Sequence, residues 1–100
     1  QNATKYAIEV PFQIMQTAFA CLESIKSMAE LGNPNSISDV GVAALCIRTA
    51  VMGAYLNVKI NCKDLKDEDF VSNFLKEGSV IVEKTILIER DIFKIVNSKI

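Results

Sequence analysis

Between Asp39 and Lys59 this chain carries a single charge, Arg48. The run from Val40 to Val58 has no proline, and small residues are spread through it: Gly41, Ala43, Ala44, Ala50, Gly53 and Ala54. A helix this apolar on all sides needs cover all round. Its length nearly suffices to cross a bilayer, but Arg48 at its centre, with Thr49 and Asn57, is costly in hydrocarbon. The run therefore predicts a central helix enclosed by other helices, with no membrane span. Its small residues let neighbouring backbones come close.

Local punctuation sets the boundaries. The first helical segment runs from about Asn2 to Leu31, with a stripe at Ala7, Pro11, Ile14, Ala18, Cys21, Ile25 and Met28. Pro11 should kink it or mark a fresh start. Gly32 is the expected residue just past its end, and Pro34 cannot continue it. The second segment runs from about Ser36 to Asn61 or Cys62, opening on a capping-box-like Ser36 and Asp39. Asp67 is a plausible N-cap for the third, from about Glu68 to Ser98, with Phe70, Phe74, Ile81, Ile88, Ile92 and Ile95 on one face. Residues 80–88 have strand-like composition, yet the helical stripe continues on both sides, so helix is expected there too. Gly78 is a weak point within it.

The expected fold is all-α, a bundle of three long helices forming one domain over residues 1–100. Two partners from so short a chain leave the second helix incompletely covered. A partner chain or further sequence should complete the bundle.

Composition narrows the chemistry. Half of the residues are hydrophobic, which argues against disorder, and a net charge of −1 gives no electrostatic footprint for nucleic acid or an anionic membrane. There is no histidine, so catalysis would rest on carboxylates, lysines, thiols, hydroxyls, amides or backbone groups. Cys21, Cys46 and Cys62 lie in apolar-periodic contexts without a CxxC pair. They read as reduced, buried thiols of a cytosolic protein, and no secretory signal is visible.

Asn57 and Asn61 stand one helical turn apart in this apolar setting. A buried amide left unpaired costs about 1–3 kcal/mol, so the pair either binds a ligand or fixes helix register by interhelical hydrogen bonds.

The stretches GNPNSISDVGVAA and GAYLNVKINCKDLKDEDF resemble the cyclodeaminase domain of the formiminotransferase-cyclodeaminase family, which includes methenyltetrahydrofolate cyclohydrolases. The matching positions are Pro11, Gly32-Asn33, Ser38-Asp39, Ala43, Gly53-Ala54, Asn57-Val58, Ile60-Asn61 and the acidic turn before Phe70. The resemblance covers roughly residues 1 to 75, and the last helix fits in character. It implies an all-helical, cytoplasmic homodimer acting on a tetrahydrofolate derivative without a metal or redox cofactor. The implied reactions are conversion of 5-formimidoyltetrahydrofolate to 5,10-methenyltetrahydrofolate and ammonia, or interconversion of the methenyl and 10-formyl forms. Family members are about twice as long and carry a Pro- and Gly-rich segment absent here, so the chain reads as the C-terminal half of such a domain. A non-catalytic helical assembly module is the competing class.

The methenyl product is a delocalised cation, which a fixed carboxylate would stabilise. Asp39 is the only acid between Glu30 and Asp64. It is the candidate catalytic group, its alternative being a helix-start acid favoured by the dipole. Asn33, Asn57 and Asn61 are the candidate substrate-binding amides; for Asn33 the alternative is turn chemistry. Asp39 and Asn57 are five turns apart on one face, roughly 27 Å along a straight helix, so both cannot touch one reactive carbon. Either they hold opposite ends of a long folate, or they serve different sites across a dimer interface, or one is structural. Arg48 could hold a folate carboxylate or pair with an acid on a neighbouring helix.

Overall fold

In the computed structural model, which describes residues 2–100, the helices are α1 (Asn2–Ala20), α2 (Leu22–Leu31), α3 (Ile37–Cys62) and α4 (Glu68–Lys99). α1 and α2 form one rod interrupted at Cys21. The chain then turns back through α3 and forward again through α4, including residues 80–88. The fold is all-α, as the periodicity predicts.

The interruption lies at Cys21, not at Pro11. Pro11 sits inside α1 and is buried. At Cys21 the backbone tightens: its N–H donates to the Ala18 carbonyl at 3.1 Å, a three-residue rather than four-residue step.

α3 is the shared wall of two hydrophobic clusters. Its C-terminal half meets α1 and the start of α4 around Ile8, Phe12, Met15, Val51 and Val58, with Phe74 edge-on to Phe12 at 4.8 Å. Its N-terminal half meets α2 and the end of α4 around Leu22, Ala29, Ile37, Ala44, Ile92 and Val96. The buried stripe of the first segment is therefore Ile8, Phe12, Met15, Leu22 and Ala29. The expected stripe is rotated from it, and four of its members, Ala7, Ile14, Cys21 and Met28, are exposed. Apolar residues occupy two adjacent faces of this rod, and the face bearing the bulkier Phe12 and Met15 is the one that packs.

α3 and α4 run antiparallel with a regular ladder: Gly41 against Val96, Arg48 against Glu89, Tyr55 against Gly78. The result is a rod of 50 × 18 × 16 Å. Its radius of gyration, 15.8 Å, exceeds the roughly 13 Å of a compact chain this long.

The punctuation holds with local differences. Asp67 caps α4, its carboxylate accepting from the Phe70 N–H at 3.1 Å. Gly32 ends α2 with φ −69° and ψ 150°, an extended rather than left-handed residue. Glycine is needed there because a Cβ would run into the Met28 carbonyl oxygen. Lys99 satisfies the exposed end of α2, its ammonium donating to the Ala29 and Glu30 carbonyls at 2.6 Å each.

Cover for α3 is one-sided. It alone among the described helices is long and apolar enough to cross a membrane, yet only 33% of that apolar window is buried. Val42, Leu56 and Ile60 face outward, each more than half exposed. Cys46 shares that face and Cys21 is also exposed, so of the three thiols expected inside only Cys62 is buried.

Candidate functional site

The candidate residues fall at the two ends of α3. At its start, the Asn33 side-chain oxygen accepts from the Asn35 N–H at 2.9 Å, closing an Asx turn. Ser36 does not cap the helix; its hydroxyl donates back to the Asn33 carbonyl at 3.3 Å. The expected capping box is therefore not formed, because Ser36 is held by the preceding turn. Asp39 lies in the first turn of α3, its own N–H donating to the Ser36 carbonyl at 3.2 Å. Its side chain is exposed, and no hydrogen bond or ion pair among the described residues engages its carboxylate.

At the other end, Asn57 and Asn61 divide. Asn57 is exposed, and only its backbone carbonyl is engaged, accepting from the Asn61 amide at 2.9 Å. Asn61 is half-buried, and its amide also donates to the Ala7 carbonyl at 3.1 Å. That carbonyl is the one a non-proline residue at position 11 would have served. Pro11 has no N–H, and in a helix the missing bond would run to residue 7. Asn61 thus replaces the hydrogen bond that Pro11 cannot make and ties α3 to α1. Its amide is oriented by this task, with the side-chain oxygen left to accept.

Arg48 faces the bundle. It donates to Glu89 at 2.6 Å, with the Glu89 side chain 4% exposed. This is the pairing with a neighbouring acid that the sequence allowed. The pair borders a shallow groove of about 420 Å³ between α3 and α4, which Phe93 and Lys94 also line. A second depression of about 330 Å³ lies at the turn between α2 and α3, lined by Met28, Gly32, Ser36 and Val40. Neither is lined by Asp39, Asn57 or Asn61. The structure brings Asp39 beside the Asn33 turn, keeps Asn57 beside Asn61, and leaves the two groups five turns apart.

Tyr55 was not singled out by the sequence. Its hydroxyl donates to the Leu75 carbonyl at 2.8 Å, and burial pushes its phenol above the usual value, with the neighbouring Cys62 adding to the rise. Burial raises the Cys62 thiol as well, which keeps it protonated and unreactive. Nothing local in the sequence signals this hydrogen bond, because Leu75 lies on α4.

Comparison with known proteins bears on the same residues. Residues 1–79 match the family model described as formiminotransferase-cyclodeaminase. The chain is 34% identical, over its whole length, to a methenyltetrahydrofolate cyclohydrolase of Methylorubrum extorquens, of which it covers 48%. It is 41% identical over 92 residues to the formimidoyltransferase-cyclodeaminase of Gallus gallus, an alignment covering 82% of this chain and 17% of that protein. With the Dictyostelium discoideum formimidoyltransferase-cyclodeaminase it shares 37% identity over 82 residues, covering 82% of the chain and 15% of that protein. The chain thus spans about half of the bacterial relative and about a sixth of the eukaryotic ones. The family match covers α1, α2, α3 and the start of α4, including Asn33, Asp39, Asn57 and Asn61, and this chain belongs to the formiminotransferase-cyclodeaminase family.

Proposed function

We propose that this chain is part of a cytoplasmic folate one-carbon enzyme that closes 5-formimidoyltetrahydrofolate to 5,10-methenyltetrahydrofolate with loss of ammonia. Within the matched region, the observation that carries the reading is the unpaired, outward-facing carboxylate of Asp39. In the reaction, N10 attacks the carbon of the protonated formimidoyl group on N5 and gives up its proton. The exocyclic nitrogen takes up a proton, its bond to carbon breaks, and ammonia leaves. The positive charge stays on the N5–C–N10 unit. Asp39 accepts the N10 proton, returns it to the leaving nitrogen, and faces the cation that forms. Asn57 hydrogen-bonds the ligand, with Asn33 and the free oxygen of Asn61 as further contacts. The protein's share of this addition and elimination is proton transfer and charge stabilisation, and the proposed enzyme acts without a metal or redox cofactor.

The whole-length match to a cyclohydrolase supports a second reading. There, water adds to the methenyl carbon, the bond to N5 breaks, a proton is released, and 10-formyltetrahydrofolate results. The same carboxylate serves as base for the water.

The test is methenyl absorbance, followed from the formimidoyl substrate and, in the other direction, from its loss to the formyl form. Wild type and Asp39→Asn are compared at equal folded concentration, alone and mixed with the N-terminal half of the bacterial relative. Loss of turnover by orders of magnitude at unchanged melting temperature supports the reading. Equal turnover of the two proteins defeats the role of Asp39. No turnover and no folate binding in any mixture leaves the assembly-module reading.

A further inference from the structure

The groove between α3 and α4 carries unmatched positive charge. Arg48, Arg90 and Lys94 line it, and Glu89 is the one acid among its lining residues. Glu89 is already paired with Arg48. Three cations against one carboxylate leave two positive charges uncompensated, in a chain whose net charge is −1. Arg90 and Lys94 are exposed and enter no ion pair among the described residues. They stand one turn apart on α4, where like charges repel.

Arg48 differs from an ordinary surface arginine. Its partner Glu89 is almost fully buried and accepts from a single guanidinium nitrogen. The guanidinium is thus held in one orientation, and its remaining N–H groups have no partner among the described residues. A group fixed in this way loses little freedom when it binds an oxyanion. Arg90, Lys94 and Asn97 follow at steps of four and three, a stripe about 10 Å long. Beside the charges, Phe93 and Leu45 are exposed and give the groove an apolar wall. Leu45 lies about 120° around α3 from Asp39 and from Asn57, so the groove opens on a different side of the helix.

We propose that this groove is a ligand site set apart from Asp39 and Asn57, and that it takes an organic dianion with an aromatic body. Two negative charges match the two uncompensated cations. The carboxylate or phosphate oxygens accept from Arg48, Arg90, Lys94 and Asn97, while the ring lies against Phe93 and Leu45. A monoanion leaves one cation unmatched, and a bare inorganic anion leaves the apolar wall in water. Aryl phosphates and aryl dicarboxylates share this chemistry. The inference does not depend on the proposed function.

Calorimetric titration of the chain tests this without any enzymatic readout. The probes are phenyl phosphate and isophthalate, with benzoate and inorganic phosphate as comparisons, just above neutral pH where the phosphate ester is a dianion. At least one aryl dianion should bind saturably, about tenfold or more tighter than either comparison ligand. Whichever of the two binds tighter identifies a phosphate ester or a dicarboxylate as the source. Amide shifts on binding should centre on Leu45, Phe93 and Asn97. Arg90→Ser with Lys94→Ser should weaken binding by about tenfold or more without lowering the melting temperature. Lys63→Ser with Lys66→Ser removes the same charge from the turn after α3 and should leave affinity unchanged. Equal weakening in the two double variants overturns the proposal, because the attraction is then general. So do shifts centred on Asp39, Asn57 or Lys63, benzoate or inorganic phosphate binding as tightly as the aryl dianions, or no saturable binding at about 10 mM.

Discussion

Asn61 donates to the Ala7 carbonyl that Pro11 leaves without its helical partner. The two residues are fifty positions apart in sequence, yet one repairs the hydrogen-bond deficit of the other. Asn61→Ala should therefore leave a carbonyl short of a bond and destabilise the chain by about 1–3 kcal/mol. In a Pro11→Ala background, where residue 11 can donate to Ala7, the same change should cost less. A double-mutant cycle by urea unfolding reads the coupling; additive effects would defeat the account.

Asp39→Asn and Asn57→Ala should behave differently from Asn61→Ala. Both side chains are exposed and without partners among the described residues, so each should shift stability by less than about 0.5 kcal/mol. Thermal unfolding of the three variants side by side checks this. Losses of several degrees at Asp39 or Asn57 would give those residues a structural role.

The Tyr55 ring fills the space beside Gly78: a Cβ there would approach Cδ1 of the ring at 2.7 Å and Cε1 more closely still. Glycine within a helix ordinarily costs about 0.5–1 kcal/mol relative to alanine. At position 78 the sign should reverse, with Gly78→Ala destabilising by about 1–3 kcal/mol through overpacking. Shrinking the ring in Gly78→Ala/Tyr55→Leu should restore part of that loss, as read by the denaturation midpoint.

Arg48 and Glu89 form the one ion pair with a buried partner among the described residues. Removing the arginine, as in Arg48→Ala, should cost about 3–5 kcal/mol because the buried Glu89 carboxylate is left uncompensated, and removing Glu89 should cost less because the Arg48 side chain is 31% exposed. Arg48→Met with Glu89→Leu should recover most of it. If the single variants lose no stability in urea, the pair is solvated in solution.

Asp67 carries a pH signature. The Phe70 N–H first, and Lys5 at 3.3 Å second, hold its carboxyl below the usual value. A lowered folded-state pKa means a stabilising contribution that is present above the unfolded value, about 3.9. It is lost as pH falls through the lowered folded value. Asp67→Asn keeps a capping oxygen and removes the charge. Its melting temperature should lie below that of the wild type at pH 7 and converge with it in strong acid. Because the Lys5 contact is exposed, salt should shrink part of the gap.

Much of this architecture was legible because its signals are local. Gly32, Pro34 and Asp67 act within a few residues, so the breaks fall where the sequence places them. The stripe of the first segment was not legible, because Ile14 and Phe12 are equally plausible core residues until α3 and α4 are in place. Pro11 reads as a kink from α1 alone; its tolerance depends on Asn61, in another helix. The candidate site divides likewise. Asp39 stands out as a lone acid, but which of two adjacent asparagines is free depends on what faces each one.

The interruption at Cys21 assigns α1 to one hydrophobic cluster and α2 to the other. The two clusters are joined by α3 and α4, which run past both, and by the continuation of α1 into α2, with Phe19 packing against the second cluster. Each end of the rod has its own buried cluster, so the two ends should open as separate cooperative units. Amide exchange would register α2, tethered at its end by Lys99, as a separate, earlier opening. Lys99 closes α4 and ties it to the end of α2. Loosening of the last turn of α4 and release of α2 are thus coupled through the Lys99 contacts.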